Sequence, residues 1–280
     1  MSFLDRIDEC NAHNLRQYKP FVVAGTRVGW IRHELAERLA QFTDVFVVDD
    51  AVRIADRLID FSKRSEALDR IVRVLEADGI VTGRRNEYYP VTTAFSAPPL
   101  LRMERAAIPR FGVCAYGVHM NGYVRKRDGI HMWIGRRSKT KPTYPSMLDN
   151  TVAGGQPMGI GLTDNLVKEC KEEASIPEPL ARRAVAVGAI TYCAEASDGL
   201  KPDVQFCYDL ELPEDFTPVN DDGEIDEFML WPIARVAEVV RDTRRFKFNC
   251  NLVIIDFLVR HGIIPPEHPD YVDIVKGLRR

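Results

Sequence analysis

The alternation of apolar and polar residues separates a mixed first part of the chain from a strand-rich second part. The first 110 residues alternate short apolar runs with helical periodicity. Strands are predicted at residues 20–25, 45–48 and 88–95, and helices at residues 32–42 and 65–77. Ser65 is a suitable N-cap for the second helix, and Gly79 lies just beyond its end. The first part is therefore predicted to be a small α+β unit.

From about residue 111 the pattern becomes rich in strands. Strands are predicted at residues 113–124, 131–137, 184–195 and 204–212. One helix is predicted from Thr163 or Asp164, either of which is a suitable cap, to Ser175, because Pro177 cannot continue it. A last helix is predicted over residues 249–260. This second part is therefore expected to combine a sheet with a central helix and a closing helix.

Length and composition narrow the class of protein. The 280 residues, of which 45% are hydrophobic, suffice for two domains with a substantial core. A net charge of −3 gives no electrostatic reason to expect nucleic acid or an anionic membrane as a partner. The six cysteines show no C-x-x-C spacing, the first ten residues are too acidic for a signal peptide, and no apolar run approaches the ~18 residues of a membrane helix. We therefore expect a cytoplasmic protein with reduced thiols.

A glycine-rich turn followed by an acidic helix is the pattern that points most directly to chemistry. Four glycines fall between residues 154 and 161, and Glu169, Glu172 and Glu173 follow at helical spacing. Three carboxylates on one side of a helix repel one another, which favours an oxygen-preferring cation such as Mg²⁺. The alternative is a solvated surface helix, since lysines lie among the acids. The glycines argue against that alternative, because they let the backbone approach a metal or a phosphate.

This stretch resembles the Nudix box, a pattern of Gly, five residues, Glu, seven residues, Arg-Glu, an aliphatic residue, any residue, Glu-Glu, any residue, Gly and an aliphatic residue. Five positions match the pattern: Gly154, Glu169, Glu172, Glu173 and Ile176. Three positions depart from it: Ile160 for the first Glu, Lys168 for Arg and Ser175 for the late Gly. In the family the first Glu and the Arg mainly support the loop–helix turn. The resemblance therefore implies that the metal-binding glutamates are retained, and we expect activity.

A narrower resemblance covers the segments that flank the box. Residues 111–123, 133–138 and 148–155 are similar to the Nudix subgroup related to fungal thiamine pyrophosphokinase fusions. The resemblance implies an α+β fold, with a Nudix α/β/α sandwich over residues 111–280. A small α+β domain over residues 1–110 would serve substrate recognition or act as a scaffold. It also implies hydrolysis of thiamine diphosphate or its oxidised forms to the monophosphate.

The resemblance also assigns roles to single residues. Glu169, Glu172 and Glu173, with the Gly154 carbonyl, are expected to hold Mg²⁺ or Mn²⁺, which bridges the diphosphate and lowers the pKa of a bound water. Glu169 or Glu224, the latter in an acidic loop, is expected to take the proton from that water.

Basic residues that could contact the diphosphate follow the strand predicted at residues 131–137. They are Arg136, Arg137, Lys139 and Lys141. Strand alternation turns Arg136 and Arg137 to opposite faces, so that at most one of them faces the cleft unless a bulge intervenes. The alternative for any one of these residues is a solvated strand end.

Three functions are open on the sequence alone. The first is a Nudix pyrophosphohydrolase of thiamine diphosphate-like compounds. The second is a Nudix hydrolase of nucleoside diphosphate compounds such as ADP-ribose or dinucleotides. The third is a non-catalytic metabolite-binding protein, motivated by Ile160, Lys168 and Ser175. The expected partner is a small-molecule diphosphate, and a homodimer is compatible with the superfamily. His119 and His131 are expected to be packed strand residues rather than metal ligands.

Overall fold

The computed structural model of the chain describes residues 1–141 and 143–280. The helices in these ranges are α1 Phe3–Glu9, α2 His33–Leu39, α3 Phe61–Ala77, α4 Ile108–Phe111, α5 Leu162–Ala174, α6 Glu178–Ala181, α7 Ile233–Asp242, α8 Cys250–Arg260 and α9 Tyr271–Gly277. The strands are β1 Tyr18–Val23, β2 Thr26–Arg32, β3 Phe46–Val48, β4 Val52–Ile54, β5 Tyr88–Val91, β6 Leu101–Glu104, β7 Tyr116–Lys126, β8 Gly129–Arg137, β9 Leu148–Asp149, β10 Val152–Gly155, β11 Val185–Ala196, β12 Gly199–Glu211 and β13 Ile225–Pro232.

The N-terminal part forms its own core between a small sheet and α3. The sheet has the order β2-β1-β4-β3, and β5 and β6 form a separate antiparallel pair. The amphipathic helix α3 buries Leu68, Ile71 and Leu75 against these strands. The predicted cap at Ser65 is wrong, because Asp60 accepts the Lys63 N–H at 2.8 Å and starts the helix earlier. The strand predicted to reach residue 95 ends at residue 91, where a turn begins.

The larger sheet carries the second core and has helices on both faces. Its order is β11-β12-β7-β8-β13, with β10 paired to β7 and β9 paired to β8. Only the β12–β7 pairing is parallel within the described part of this sheet. On one face Val118 and Met120 pack beneath Cys170 of α5, and on the other face α7 and α8 cover Met132 and Ile134. The prediction of an α+β fold is confirmed.

Two contacts join the two parts of the chain. Phe3 and Ile7 of α1 pack into the cluster that contains α8 and α9, and not into the separate core of the N-terminal part. At the other contact, Gly199 at the start of β12 lies against the Pro109 carbonyl so closely that a Cβ would overlap it. The helix α9 follows the helix that was predicted to be the last. None of the described helices has the length and apolar character required to cross a membrane.

Candidate functional site

The acidic helix α5 starts without the residues predicted to cap it and ends at Ser175, as predicted. Gly161 is its N-cap, and no side chain in the described chain caps it, so the cap predicted at Thr163 or Asp164 is wrong. At the other end Ser175 adopts a left-handed conformation, with a φ of 50°, and terminates the helix. This is the position at which the box pattern has glycine. The serine therefore retains the backbone geometry that the glycine would supply.

The carboxylates of α5 are held inside the protein to different degrees. Glu173 is buried and accepts the Ala153 N–H at 2.8 Å, while the Glu169 side chain is 14% exposed. The Glu172 side chain is 46% exposed, and the Lys168 ammonium lies 2.8 Å from it and 3.1 Å from Glu169. Because two of the three carboxylates face protein, α5 differs from an ordinary solvated helix.

Burial makes this acidic cluster electrostatically costly. It raises the pKa of Glu173 to about 8 and also raises the pKa of Glu169. The partly buried Lys141 ammonium lies within Coulomb range of Glu173, and burial lowers the pKa of Lys141 to about 8. A cluster that favours protons in this way also favours another cation. Since every donor is an oxygen, the residues present fit Mg²⁺ or Mn²⁺.

Two consecutive glycines of β10 let side chains approach the strand from both faces. A Cβ at Gly154 would overlap the carboxyl group of Glu169, with Oε2 at 2.7 Å. A Cβ at Gly155 would overlap the Tyr89 hydroxyl and lie 3.4 Å from the Cζ of Arg105. Successive residues of a strand face opposite sides. The acidic helix therefore lies on one face of β10, beside Gly154, and Tyr89 and Arg105 lie on the other face, beside Gly155.

Amide side chains support the glycine-rich loop in place of the missing Glu and Arg of the box. Asn165 is fully buried and donates to the Gly155 carbonyl at 2.8 Å and to Gln156 at 3.1 Å. Gln156 in turn donates to the Ile160 carbonyl at 2.6 Å. Neither amide is predicted from the sequence, although both flank the glycine-rich turn that precedes the acidic helix.

A cavity of about 200 Å³ lies on the other face of β7, where Gly117 and His119 point away from α5. Both parts of the chain line it. The N-terminal part contributes Tyr89, Arg105, Ile108 and Pro109. The sheet and the segment before α8 contribute Tyr192, Lys201, Asp203, Gln205, Lys247 and Asn249, among others. The cavity therefore begins beside Gly155 and carries three cationic side chains.

A buried polar network forms part of the cavity wall. The Tyr192 hydroxyl donates to Asp203 at 3.1 Å and accepts from Gln205 at 3.3 Å and from Asn249 at 3.1 Å. Burial raises the pKa of Asp203 to about 6, although Lys201 and the Tyr192 hydrogen bond oppose this shift. The side chains of this network could form hydrogen bonds with donors and acceptors on the edge of a bound ring.

The basic residues predicted to contact the diphosphate lie elsewhere. Arg137 is buried, with its Nη1 2.7 Å from Asp149 and its other nitrogens donating to the Thr143 and Tyr144 carbonyls. Its donors are therefore used within the protein, and Arg137 would have to leave these partners to contact a substrate, so its role in substrate binding stays a prediction. Arg136 pairs with Glu227 at 3.1 Å on an exposed part of the sheet, and Lys139 is exposed. Among the described lining residues of the cavity, none of these three predicted residues occurs.

The predicted second carboxylate lies near the cluster but is already paired. Glu224 forms an ion pair with Lys141, whose ammonium also faces Glu173. Asp222 of the same loop lies within Coulomb range of Lys141 and Glu172, and burial raises its pKa. The loop therefore lies beside α5, where Glu224 could act only after leaving Lys141.

A second group of ligand-type side chains is fully buried behind the cavity. His119, Asp149 and Cys250 have ligand atoms within 4.8 Å of one another. Burial lowers the pKa of His119 to about 4. Burial by itself would raise the pKa of Asp149, but Lys247 and Arg137 outweigh it and lower the pKa to about 2. Asp149 pairs with Arg137 at 2.7 Å and accepts from the Cys250 thiol, and His119 hydrogen-bonds to Asn150, so these ligand atoms are already engaged within the protein.

The chain is similar to known proteins over nearly its whole length. Residues 2–115 match a family model described as a domain of unknown function, DUF4743. Nudix hydrolase 20 and Nudix hydrolase 24 of Arabidopsis thaliana, both named as chloroplastic, are each 46% identical to the chain, over 99% of the chain and 77% of each relative. The solved NUDIX domain of NrtR from Shewanella oneidensis, complexed with ADP ribose, is 12% identical with a TM-score of 0.43, over 54% of this chain and 90% of that one.

Proposed function

The chain belongs to the Nudix hydrolase family and is a hydrolase of diphosphate bonds, and we propose that its substrate is a compound of the thiamine diphosphate class. One observation carries the proposal. The carboxylates of α5 and the polar cavity meet across Gly154 and Gly155, the two adjacent glycines of β10. A substrate whose diphosphate lies beside Gly154 and Gly155 would place its ring in the cavity.

The metal ligands in this proposal are Glu169, Glu172 and Glu173, with the Gly154 carbonyl. A bound Mg²⁺ or Mn²⁺ would supply neutralisation of the diphosphate charge and a lower pKa for water. The Ala153 N–H holds one oxygen of Glu173 in place, and the contact with Gly154 fixes the position of Glu169. Lys168 pairs with both Glu169 and Glu172 and neutralises part of their charge.

We assign the role of general base, which takes the proton from the attacking water, to a carboxylate beside the proposed metal ligands. Glu169 is the first candidate because it is mostly buried and burial raises its pKa toward the range useful for a general base. Glu224 is the second candidate, and it would first have to exchange its pairing with Lys141 for the water.

The cavity supports the ring specificity of the proposal. An aminopyrimidine offers an amine donor beside a ring nitrogen, and the carboxylate of Asp203 with the amide of Gln205 offers the complementary acceptor and donor. The volume of about 200 Å³ suits one heteroaromatic ring rather than a whole dinucleotide.

A second candidate is hydrolysis of nucleoside diphosphate compounds. It is favoured by a wider groove of about 670 Å³ that shares Arg105, Tyr144 and Lys201 with the cavity. A substrate with groups on both sides of its diphosphate, such as ADP-ribose, could occupy the cavity and the groove together.

A homodimer and a cytoplasmic location remain predictions from the sequence.

A substrate panel tests the proposal. The full-length protein with Mg²⁺ or Mn²⁺ would be assayed against thiamine diphosphate, its oxidised forms, ADP-ribose and dinucleotides, with phosphate-containing products identified by mass. We expect a higher kcat/KM for the thiamine compounds, with the monophosphate as product. A preference for ADP-ribose or dinucleotides would support the second candidate. Thermal stabilisation by these compounds without turnover would indicate a non-catalytic binding protein instead.

A further inference from the structure

Resting on the proposed function, we infer that Arg105 binds the substrate diphosphate, so that the segment of unknown function completes the active site. Arg105 follows β6 and lies within the range 2–115 that matches the domain of unknown function. It reaches across the contact between the two parts of the chain and lines the cavity together with Tyr89.

Arg105 lies on the opposite face of β10 from the acidic helix. Gly155, on one face of β10, lies beside Tyr89 and Arg105, while Gly154, on the other face, lies beside Glu169. Within the described ranges β10 pairs with β7 alone, and side chains of α5 occupy its other edge, where Glu173 accepts the Ala153 N–H and Asn165 donates to the Gly155 carbonyl. A diphosphate beside the two glycines could reach the carboxylate cluster on one side and the guanidinium on the other.

The Arg105 guanidinium is only partly paired within the described residues. Its Nη1 donates to Glu87 at 2.7 Å, which orients the guanidinium plane. No acceptor occurs for its Nε or Nη2 among the described residues, and the side chain is 41% exposed although it lines a cavity. A planar guanidinium with donors open to a cavity suits bidentate contact with phosphoryl oxygens. Glu87 is a positioning residue in this arrangement.

The surroundings of Arg105 are rich in positive charge. Arg105 lies where the cavity meets the wider groove, which is also lined by Arg85, Arg110 and Lys201. Asp198 is the one acidic residue among the described residues of that groove, and it pairs with Lys201 at 2.9 Å. The approach to Arg105 is therefore net positive and attracts a polyanion.

Substitution of Arg105 with a control on the same segment tests the inference. Arg105→Ala and Arg105→Lys would be compared with Arg102→Ala, since Arg102 is exposed on β6 and lies over the Tyr88 ring. We expect Arg105→Ala to raise KM at least tenfold, Arg105→Lys to recover part of this loss, and Arg102→Ala to stay within about twofold of the unaltered protein. Added guanidinium ion should restore part of the activity of Arg105→Ala.

A binding measurement separates this inference from the proposed function. Titration calorimetry with methylenediphosphonate and Mg²⁺ should show binding at least tenfold weaker for Arg105→Ala than for Arg102→Ala. If the unaltered protein hydrolysed no compound of the panel but showed this difference, the proposed function would fail and the inference would stand. If turnover occurred and Arg105→Ala matched the control in KM and in binding, the inference would be overturned. Loss of activity with unchanged KM, unchanged binding and lower thermal stability would also overturn it.

Discussion

The side chain of Glu169 lies directly against the α-carbon of Gly154, in the space that any Cβ at position 154 would occupy. This contact couples the glycine-rich loop to the acidic helix. A side chain at 154 would displace a proposed metal ligand and not merely strain a turn, because the overlapping atoms belong to the carboxyl group. The glycine is therefore required by the position of the carboxylate.

Gly154→Ala should reduce kcat/KM at least a hundredfold, because shifting a ligand by about 1 Å has effects of that size. Gly161→Ala is the control in the same loop, since its φ is −74° and the nearest atom to an added Cβ is 3.9 Å away. Steady-state kinetics at saturating Mg²⁺ would compare the two variants. Near-normal turnover by Gly154→Ala would remove Glu169 from the set of required ligands.

Glu173→Gln should stabilise the metal-free protein at alkaline pH and abolish turnover. The pKa of Glu173 is about 8 in the folded chain against 4.5 as its ordinary value. The folded state therefore binds this proton more tightly, and the corresponding stability is complete below pH 4.5 and is lost as the pH rises through 8. At pH 9 with EDTA we expect a gain on the order of several kcal/mol in the free energy of unfolding, since each unit of pKa difference corresponds to about 1.4 kcal/mol.

Denaturant titrations from pH 5 to pH 9 would measure this effect. Glu172→Gln is the control, since its side chain is 46% exposed, and it should change stability by less than about 0.5 kcal/mol. Glu173→Gln should flatten the dependence of stability on pH over this range. An unchanged slope would show that Glu173 is not the group that titrates.

Arg137→Ala should destabilise the protein by about 3–5 kcal/mol, because it leaves the buried Asp149 carboxylate without its partner at 2.7 Å. Arg136→Ala removes an exposed pair with Glu227 and should cost less than about 1 kcal/mol with an unchanged KM. Chemical denaturation and kinetics on both variants would check this contrast. A raised KM in a stably folded Arg137→Ala protein would support the prediction that Arg137 binds substrate.

Asp203→Asn should raise KM about tenfold for an aminopyrimidine substrate with little change in kcat, since the ring loses a charged acceptor. The pKa of Asp203 is about 6, so the unaltered protein should bind such a substrate more weakly as the pH falls below 6. The variant should not show this dependence. Asp128→Asn, on an exposed residue of the β7–β8 hairpin, provides the control. Equal KM values for all three proteins would exclude ring recognition by Asp203.

Local patterns predicted the acidic helix and the longer strands of the large sheet, but they did not predict β13 or the helices α1, α7 and α9. Alternating apolar residues predicted the strands around β1, β8 and β11, and the periodicity of α5 and α8 predicted those helices to within a few residues. N-caps were predicted poorly, whereas Gly79 follows the end of α3 as predicted. Asp60 and Gly161 start α3 and α5 because chain direction at a helix end depends on what packs around it.

The sequence by itself determined that three glutamates would follow a glycine-rich turn on one helix, since spacing along a helix fixes which side chains are neighbours. It did not determine which cations would face the cavity. Arg136 and Arg137 are close to the turn in sequence but bind Glu227 and Asp149, while Arg105 comes from a distant segment. Only the tertiary structure brings Arg105 beside Gly155, because contacts between separate parts of a chain depend on how their cores pack and leave no periodic pattern in the sequence.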